Sequence, residues 1–347
     1  MNVFELTRKL IDIPSVTGDE ANVGEFLAGY LESLGYQVER QLVADGRFNV
    51  IATTRDKPRV VLSTHVDTVP PYIESSEDDE KIYGRGACDA KGIIAAQIVA
   101  AERLRAEGVN EIGLLFTVDE ETGSAGARVA NTGKQPGETY FMINGEPTDN
   151  KLAVATKGSL RFVISTGGRA AHSAYPEHGE SAIEKLLDVL QDVRSVQWPV
   201  DDVLGDTTCN IGVIGGGTRP NVIPDSASAE LQMRLVSNAA EIKTTLEQTI
   251  ANRARIEYLS ENEPVHLHVV AGMDQCVVRF TTDIPYLSDW GTALLLGPGS
   301  IFNAHTAHEF VPKVELQEAV ELYVTLTQSL LADKSLVGHG VSEGALR

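Results

Sequence analysis

Cysteine is scarce in this chain: Cys88, Cys209 and Cys276 are the only three among 347 residues, and none forms a Cys-x-x-Cys pair. That excludes a disulfide framework and a thiolate zinc site, and it fits a reducing compartment. Basic residues are also few, 29 Lys and Arg against 49 Asp and Glu, for a net charge of −20. A field of that sign disfavours nucleic acid and anionic membranes as partners and draws cations towards any open cleft. Long apolar runs are missing. The opening MNVFELTRKLIDIPS is amphipathic, and nowhere does the sequence approach the roughly 20 apolar residues of a membrane span. A cytoplasmic location is the resulting expectation. No repeat or low-complexity segment interrupts the chain, whose length allows one large domain or two.

What is present alternates between strand and helix patterns. Val23, Phe26, Leu27, Tyr30, Leu31 and Leu34 recur at helical spacing, and Gly35 follows as a carboxyl-terminal cap, which predicts a helix over 21–34. Short apolar runs at 48–54, 59–64, 112–118 and 139–144 read as buried strands, and the Ala- and Ile-rich stretch 91–106 as a helix between two of them. Strands separated by helices predict an α/β fold, a mostly parallel sheet with helices on both faces. From Gly158 the order becomes strand, helix, strand, strand, helix, strand, which predicts an inserted ferredoxin-like α+β domain over 158–259. The first domain is then split into 1–157 and 260–347, with a last helix near 314–331 and a loosely ordered tail.

Candidate chemistry lies where the strands end. His65 and Asp67 follow one strand, Glu120 and Glu121 a second, and Glu146 a third, so all converge on the crevice at the carboxyl edge of a parallel sheet. Asp67, two residues on, can orient the imidazole of His65, although a lone His-x-Asp is also an ordinary loop contact. Asp89 precedes the 91–106 helix and suits either an amino-terminal cap or a carboxylate shared by two cations. Adjacent anions at Glu120 and Glu121 are costly unless cations neutralise them or one stays protonated. An exposed acidic turn is the plain alternative. With strand alternation placing the pair on opposite faces, Glu121 is expected to hold a metal and Glu120 to act as general base. His65, Asp89, Glu121, Glu146 and His305 then form a nitrogen and oxygen set for two divalent ions, zinc first, with cobalt or manganese also suited. Cys88 has no base nearby in sequence and reads as a small core residue rather than the nucleophile of a cysteine amidase.

The segments HVDTVP, YGRGACDAKG, TVDEETGS, NGEP, GGRAAHSAYPEHGESAI, NVIPD and GPGSIFNAHTAHEF, in this order, resemble the aminoacylase and acetylornithine deacetylase superfamily. That superfamily also includes succinyl-diaminopimelate desuccinylase and carboxypeptidase G-like metallopeptidases. The resemblance covers nearly the whole chain. It implies a di-zinc peptidase-like catalytic domain, with the inserted domain as lid and dimerisation domain. His172 is similar to a histidine that stabilises the oxyanion across a subunit boundary. Arg234 is similar to the arginine that pairs with a substrate carboxylate, and Asn221 is a further substrate-side candidate. A cis peptide between Asp89 and Ala90 is also implied. In one departure, His308 stands where the family usually has Asp; His305 keeps the family register, with Glu309 four residues on. The implied activity is hydrolysis of a small N-acyl amino acid by a homodimer, with acetylornithine deacetylation in arginine biosynthesis foremost. Desuccinylation or di/carboxypeptidase action is the alternative. A non-catalytic binding module of the same fold is the reading from another class, and loss of a ligand or of the base would favour it.

Overall fold

The computed structural model describes residues 1–54 and 57–332, so the tail beyond Ala332 lies outside the described residues. The chain divides into two compact units. One comprises Met1–Val154, Leu267–Cys276 and the described residues from Thr282 onward; the other comprises Ala155–His266 and Val277–Thr281. The expected limits at 158 and 259 are too narrow. Strand Arg255–Asn262 continues to pair as far as Asn262 with Ser159, and Val265 and His266 pair with Thr156 and Ala155. The return of 277–281 to the second unit was not expected.

The first unit is built on a six-stranded sheet. Its strands run, in spatial order, Gln37–Ala44, Arg47–Thr53, Ile112–Thr117, Val60–His65, Phe141–Asn144 and Thr292–Leu295. The last four are mutually parallel, and the first two join antiparallel at one edge. Strands Val60–His65, Ile112–Thr117 and Phe141–Asn144 are buried along their whole length, as central parallel strands must be, which explains their uninterrupted apolar runs. Gln37–Ala44 is absent from the sequence reading. It is a half-exposed edge strand of mixed polarity, paired in a hairpin through Asp45-Gly46, and buries too little to show a run. Helices Ala21–Ser33, Lys91–Ala106 and Lys313–Ala332 fall within one or two residues of expectation. With Val3–Ile11 they enclose one apolar core around Leu27, Leu62, Ile94, Phe116, Ile143 and Leu326.

The second unit carries a four-stranded antiparallel sheet ordered Thr208–Gly216, Ser226–Leu235, Gly158–Gly167, Arg255–Asn262. Helices Ala182–Ser195 and Ala239–Ile250 pack on one face of it, in the expected split arrangement. Leu160, Phe162 and Ile164 alternate inwards along one strand to meet Leu186, Val193, Ile242 and Leu246. Ser181 and Asn238 cap the two helices, each accepting an amide hydrogen bond. Among the described residues no helix is long and apolar enough to cross a membrane.

Candidate active site

Strand Val60–His65 delivers His65 to the carboxyl edge of the sheet, almost fully buried. Its Nδ1 lies 3.0 Å from the Asp67 carbonyl oxygen and 3.5 Å from the Asp67 carboxylate, which leaves Nε2 to face the site. Asp67 does more than orient this ring. Its carboxylate also accepts the Glu120 amide at 3.1 Å, the Glu121 amide at 3.2 Å and the Thr17 hydroxyl at 2.8 Å. Burial works against its ionisation, yet hydrogen bonds led by His65 outweigh that and hold its carboxyl below the usual range.

The division between Glu120 and Glu121 does not arise from strand alternation. The neighbouring strand stops at Thr117, and the pair sits in the turn that follows. Asp119 shapes that turn from a left-handed conformation, φ 71°: its carbonyl accepts the amides of Gly123 and Ser124, and its carboxylate that of Ala125. Arg47 joins Asp119 at 2.8 Å to the buried Glu20 at 2.6 Å, bracing the turn from behind. Gly126 closes it. A Cβ there would lie 2.4 Å from the Val118 carbonyl oxygen, so the following helix could not begin where it does with any other residue.

Asp89 is not a helix cap. The residue in the cap position is Ala90, and no side chain caps that helix. One Asp89 oxygen instead lies 3.0 Å from His65 Nε2 and the other 3.3 Å from His305 Nε2. His305 Nε2 is also 3.0 Å from Glu121 Oε1. Donor atoms of His65, Asp89 and Glu121 all fall within 4.8 Å of one another. Glu146 is buried, and its Oε1 has no hydrogen-bond partner. His308 is exposed and bonds through its amide to Thr306, so His305 takes the position turned towards Asp89 and Glu121. The Asp89–Ala90 peptide is cis. Cys88 is buried against Ser300 and Glu309, and burial, helped by the Glu309 charge, pushes its thiol well up, which disarms it as a nucleophile.

Sequence reasoning missed two acidic contributors. Glu309 is buried, pairs with Arg85 at 2.6 Å, and accepts the amides of Cys88 and Asp89 at 3.2 Å each. Asp283 is buried beside Thr117. Glu309 was visible only as part of the register around His305, and Asp283 stands in no motif.

The charges leave the cluster short of cations. Burial drives Glu120 and Glu146 well above the usual carboxylate range, with the Glu146 charge adding to the shift at Glu120 and the Asp89 and Glu121 charges to that at Glu146. Burial also raises Glu121. Burial disfavours the His65 cation, but the Asp67 and Asp89 carboxylates raise it well above its ordinary range. His305 is pushed up to about 10 by hydrogen bonds to Asp89 and Glu121. Two imidazolium charges cannot balance this many carboxylates, whereas divalent cations can, and an unpartnered buried Glu146 oxygen is what a metal ligand looks like before its ion is counted. The donor set fits a metal centre.

One consequence is measurable without substrate. With metals chelated, the melting temperature is expected to fall as pH rises from about 6.5 towards 10. The His305 contribution is complete below its ordinary value of 6.5 and is lost as pH passes about 10. The raised carboxyls act in the same sense, because ionising them costs more in the folded chain than in the unfolded one. Asp67 and Asp89, held low, act only at acid pH. Metal-loaded protein should show a flatter profile by calorimetry, since bound cations hold the ligands deprotonated. A chelated protein that grows more stable over this range would contradict the assignment.

The remaining candidates lie in the second unit. His172 pairs with Val222 in a two-stranded ladder, and Ser173 donates its amide to the Asn221 carbonyl at 3.0 Å, which brings His172 and Asn221 together. The Ala174 amide donates to His172 Nδ1 at 3.1 Å, so the neutral ring carries its proton on Nε2. Arg234 lies on strand Ser226–Leu235 of the four-stranded sheet, half-buried, and makes no ion pair among the described residues.

A mostly parallel sheet with a carboxylate and imidazole cluster at its carboxyl edge, interrupted by a split α+β unit, defines a metal-dependent hydrolase of the two-domain peptidase class. The profile of Peptidase family M20/M25/M40 matches residues 61–329, and the chain belongs to this family. It is 39% identical over 334 residues to a peptidase M20 domain-containing protein of Schizosaccharomyces pombe, covering 93% of this chain and 83% of that one. It is 37% identical to a "Probable carboxypeptidase" of Emericella nidulans, covering 94% and 89% of the two chains. Among solved structures, aminopeptidase PepT from Bacillus cereus superposes with a TM-score of 0.76 at 23% identity, over 95% of this chain and 98% of that one. The metallo-carboxypeptidase Sso-CP2 from Sulfolobus solfataricus does so with a TM-score of 0.75 at 16% identity, over 95% and 99%. The chain is thus a metal-dependent hydrolase of amide bonds, and the names of these relatives describe peptidases and carboxypeptidases.

Proposed function

We propose that this protein hydrolyses an amide bond beside a free α-carboxylate, as in N-acyl amino acids, with N-acetylornithine the first substrate to try. The observation that carries the reading is Asp89, whose two oxygens address two different imidazoles, with Glu120 held next to that ring of donors. His65, Asp89 and Glu146 are assigned to one cation, and Asp89, Glu121 and His305 to the other. Two divalent ions held there, zinc first, with cobalt or manganese as alternatives, would polarise the scissile carbonyl and lower the pKa of a bound water to about 7.

Glu120 takes the proton of the attacking water and passes it to the departing amine nitrogen as the carbon–nitrogen bond breaks. Burial and the Glu146 charge raise its carboxyl in the metal-free chain, and cations at the neighbouring donors would favour the ionised form that accepts a proton. Asp67 fixes the Glu120 and Glu121 amides and so keeps base and ligand in register. His172 donates from Nε2 to the developing oxyanion, Arg234 receives the substrate carboxylate through its unpaired guanidinium, and Asn221 assists on the substrate side.

We place the protein in the cytoplasm as a homodimer joined through the second unit. Its edge strand Thr208–Gly216 exposes Val213 and Ile214, 62% and 54% accessible, beside an unpaired row of backbone groups. The free cysteines accord with a reducing setting. Mixing His172→Ala chains with Glu120→Gln chains tests whether the lid serves its own chain or its partner. Activity regained in mixed dimers, up to about half of the parent value, shows action across the dimer; none shows action within one chain.

A second reading follows from the relatives named as carboxypeptidases: a dipeptide presents the same amide and the same α-carboxylate. Hydrolysis of N-acetylornithine, N-acetylcitrulline, N-succinyl-diaminopimelate and dipeptides, each with and without chelator, separates these substrates. Preference for the acetylated amino acids supports deacetylation and a place in arginine biosynthesis. Preference for dipeptides moves the assignment to peptidase action on the same centre, and no turnover of any would favour a binding module.

A further inference from the structure

Asp283 is 1% exposed and stands on no motif, yet it lies at the back of the catalytic cluster. Its Oδ2 accepts the Thr117 hydroxyl at 2.7 Å, and the neighbouring Ser124 side chain favours its charged form. Thr117 is the last residue of its strand, and Ser124 immediately precedes the helix Ala125–Asn131. The turn between them carries Glu120 and Glu121. Asp283 therefore holds the strand end of the segment that presents base and ligand, with Ser124 close by at the other end, while Asp67 holds its two central amides and Arg47 braces Asp119. Its other oxygen, Oδ1, is buried without a partner, an unfavourable state for an ordinary turn anchor and one that asks for a functional reason. The carboxyl is close enough to Glu120 and Glu146 to add to the repulsion each feels.

We propose that Asp283 is a positioning residue of the catalytic centre, which fixes Glu120 and Glu121 relative to each other by anchoring the turn 118–124 through the Thr117 hydroxyl. This rests on the roles given above to Glu120 and Glu121. A residue that only supported the fold would alter stability and leave the ligand field of the metals alone. A positioning residue changes the field at Glu121 and the reach of Glu120, with losses of the kind seen when hydrogen-bonded partners of metal ligands are removed, about 10- to 100-fold.

The test uses full-length protein loaded with cobalt. Asp283→Asn, which keeps size and shape, is expected to retain two ions per chain, lower kcat about 10- to 100-fold with KM nearly unchanged, and shift the visible cobalt spectrum. Thr117→Val should reproduce the effect, Thr117→Ser should return most of the lost rate, and the double variant Asp283→Asn with Thr117→Val should be no worse than either alone. Should Asp283→Asn fail to fold, the Thr117 pair decides the question. An unchanged spectrum with parental kcat in Asp283→Asn, or in Thr117→Val, overturns the proposal, as do losses that add independently. The cobalt spectrum does not depend on turnover, so a failure of the Glu120 assignment would show itself separately, as near-normal rates in Glu120→Gln.

Discussion

Glu120→Gln is expected to bind its metals like the parent and to turn over about 10²- to 10⁴-fold more slowly, the usual contribution of a positioned general base. The expectation follows from what Glu120 touches. Its amide is fixed by Asp67, and neither His65 nor His305 makes a hydrogen bond to its carboxyl, unlike that of Glu121, which His305 meets at 3.0 Å. Glutamine preserves the shape and removes only the ability to take a proton. Metal content by atomic absorption together with kcat separates the two roles: full metal and collapsed kcat assigns the base, whereas lost metal would make Glu120 a ligand. Glu121→Gln should show the opposite pattern, with weakened binding of one ion.

The largest stability effect is expected from Glu309→Ala. Glu309 and Arg85 form a pair whose side chains are only 1% and 2% exposed, and removing one partner of such a pair leaves an uncompensated buried charge, at a cost of about 3–5 kcal/mol. The same carboxylate receives the amides of Cys88 and Asp89, so its loss also frees the loop that carries Asp89. Metal affinity should fall along with the urea midpoint. Replacing both partners by apolar residues of similar volume is expected to recover much of the stability and little of the metal affinity, because the charge problem disappears while the Asp89 anchor stays absent. A midpoint within about 0.5 kcal/mol of the parent for Glu309→Ala would show that water reaches Arg85 and that the clamp is unimportant.

The order of strands and helices was legible because central parallel strands are buried along their length and so appear as continuous apolar runs, as Val60–His65 and Ile112–Thr117 do. Gln37–Ala44 escaped notice because an exposed edge strand carries no such run. His65, Asp89, Glu121 and His305 were legible because each follows a recognisable strand end or glycine turn, and the fold brings all four into contact. What surrounds them was not. Glu20, Arg47 and Asp119 form one brace from three distant segments, and Asp283 and Glu309 reach the cluster from beyond the inserted unit. Nothing in local spacing marks a lone acidic residue as a partner of a turn more than a hundred residues away. The reason for splitting Glu120 from Glu121 also needed coordinates, since a turn anchored by Asp67, rather than the alternation of a strand, separates them.

The central claim is that the cluster at the carboxyl edge of the sheet works only as a metal centre. Stripping the protein with chelator and titrating zinc or cobalt back, while following hydrolysis of the best substrate in the panel, tests it directly. Activity is expected to vanish on chelation, to return in full at two ions per chain, and to ignore thiol reagents throughout. Hydrolysis that persists in chelated protein and is abolished by a thiol reagent would contradict the account and move the chemistry to Cys88.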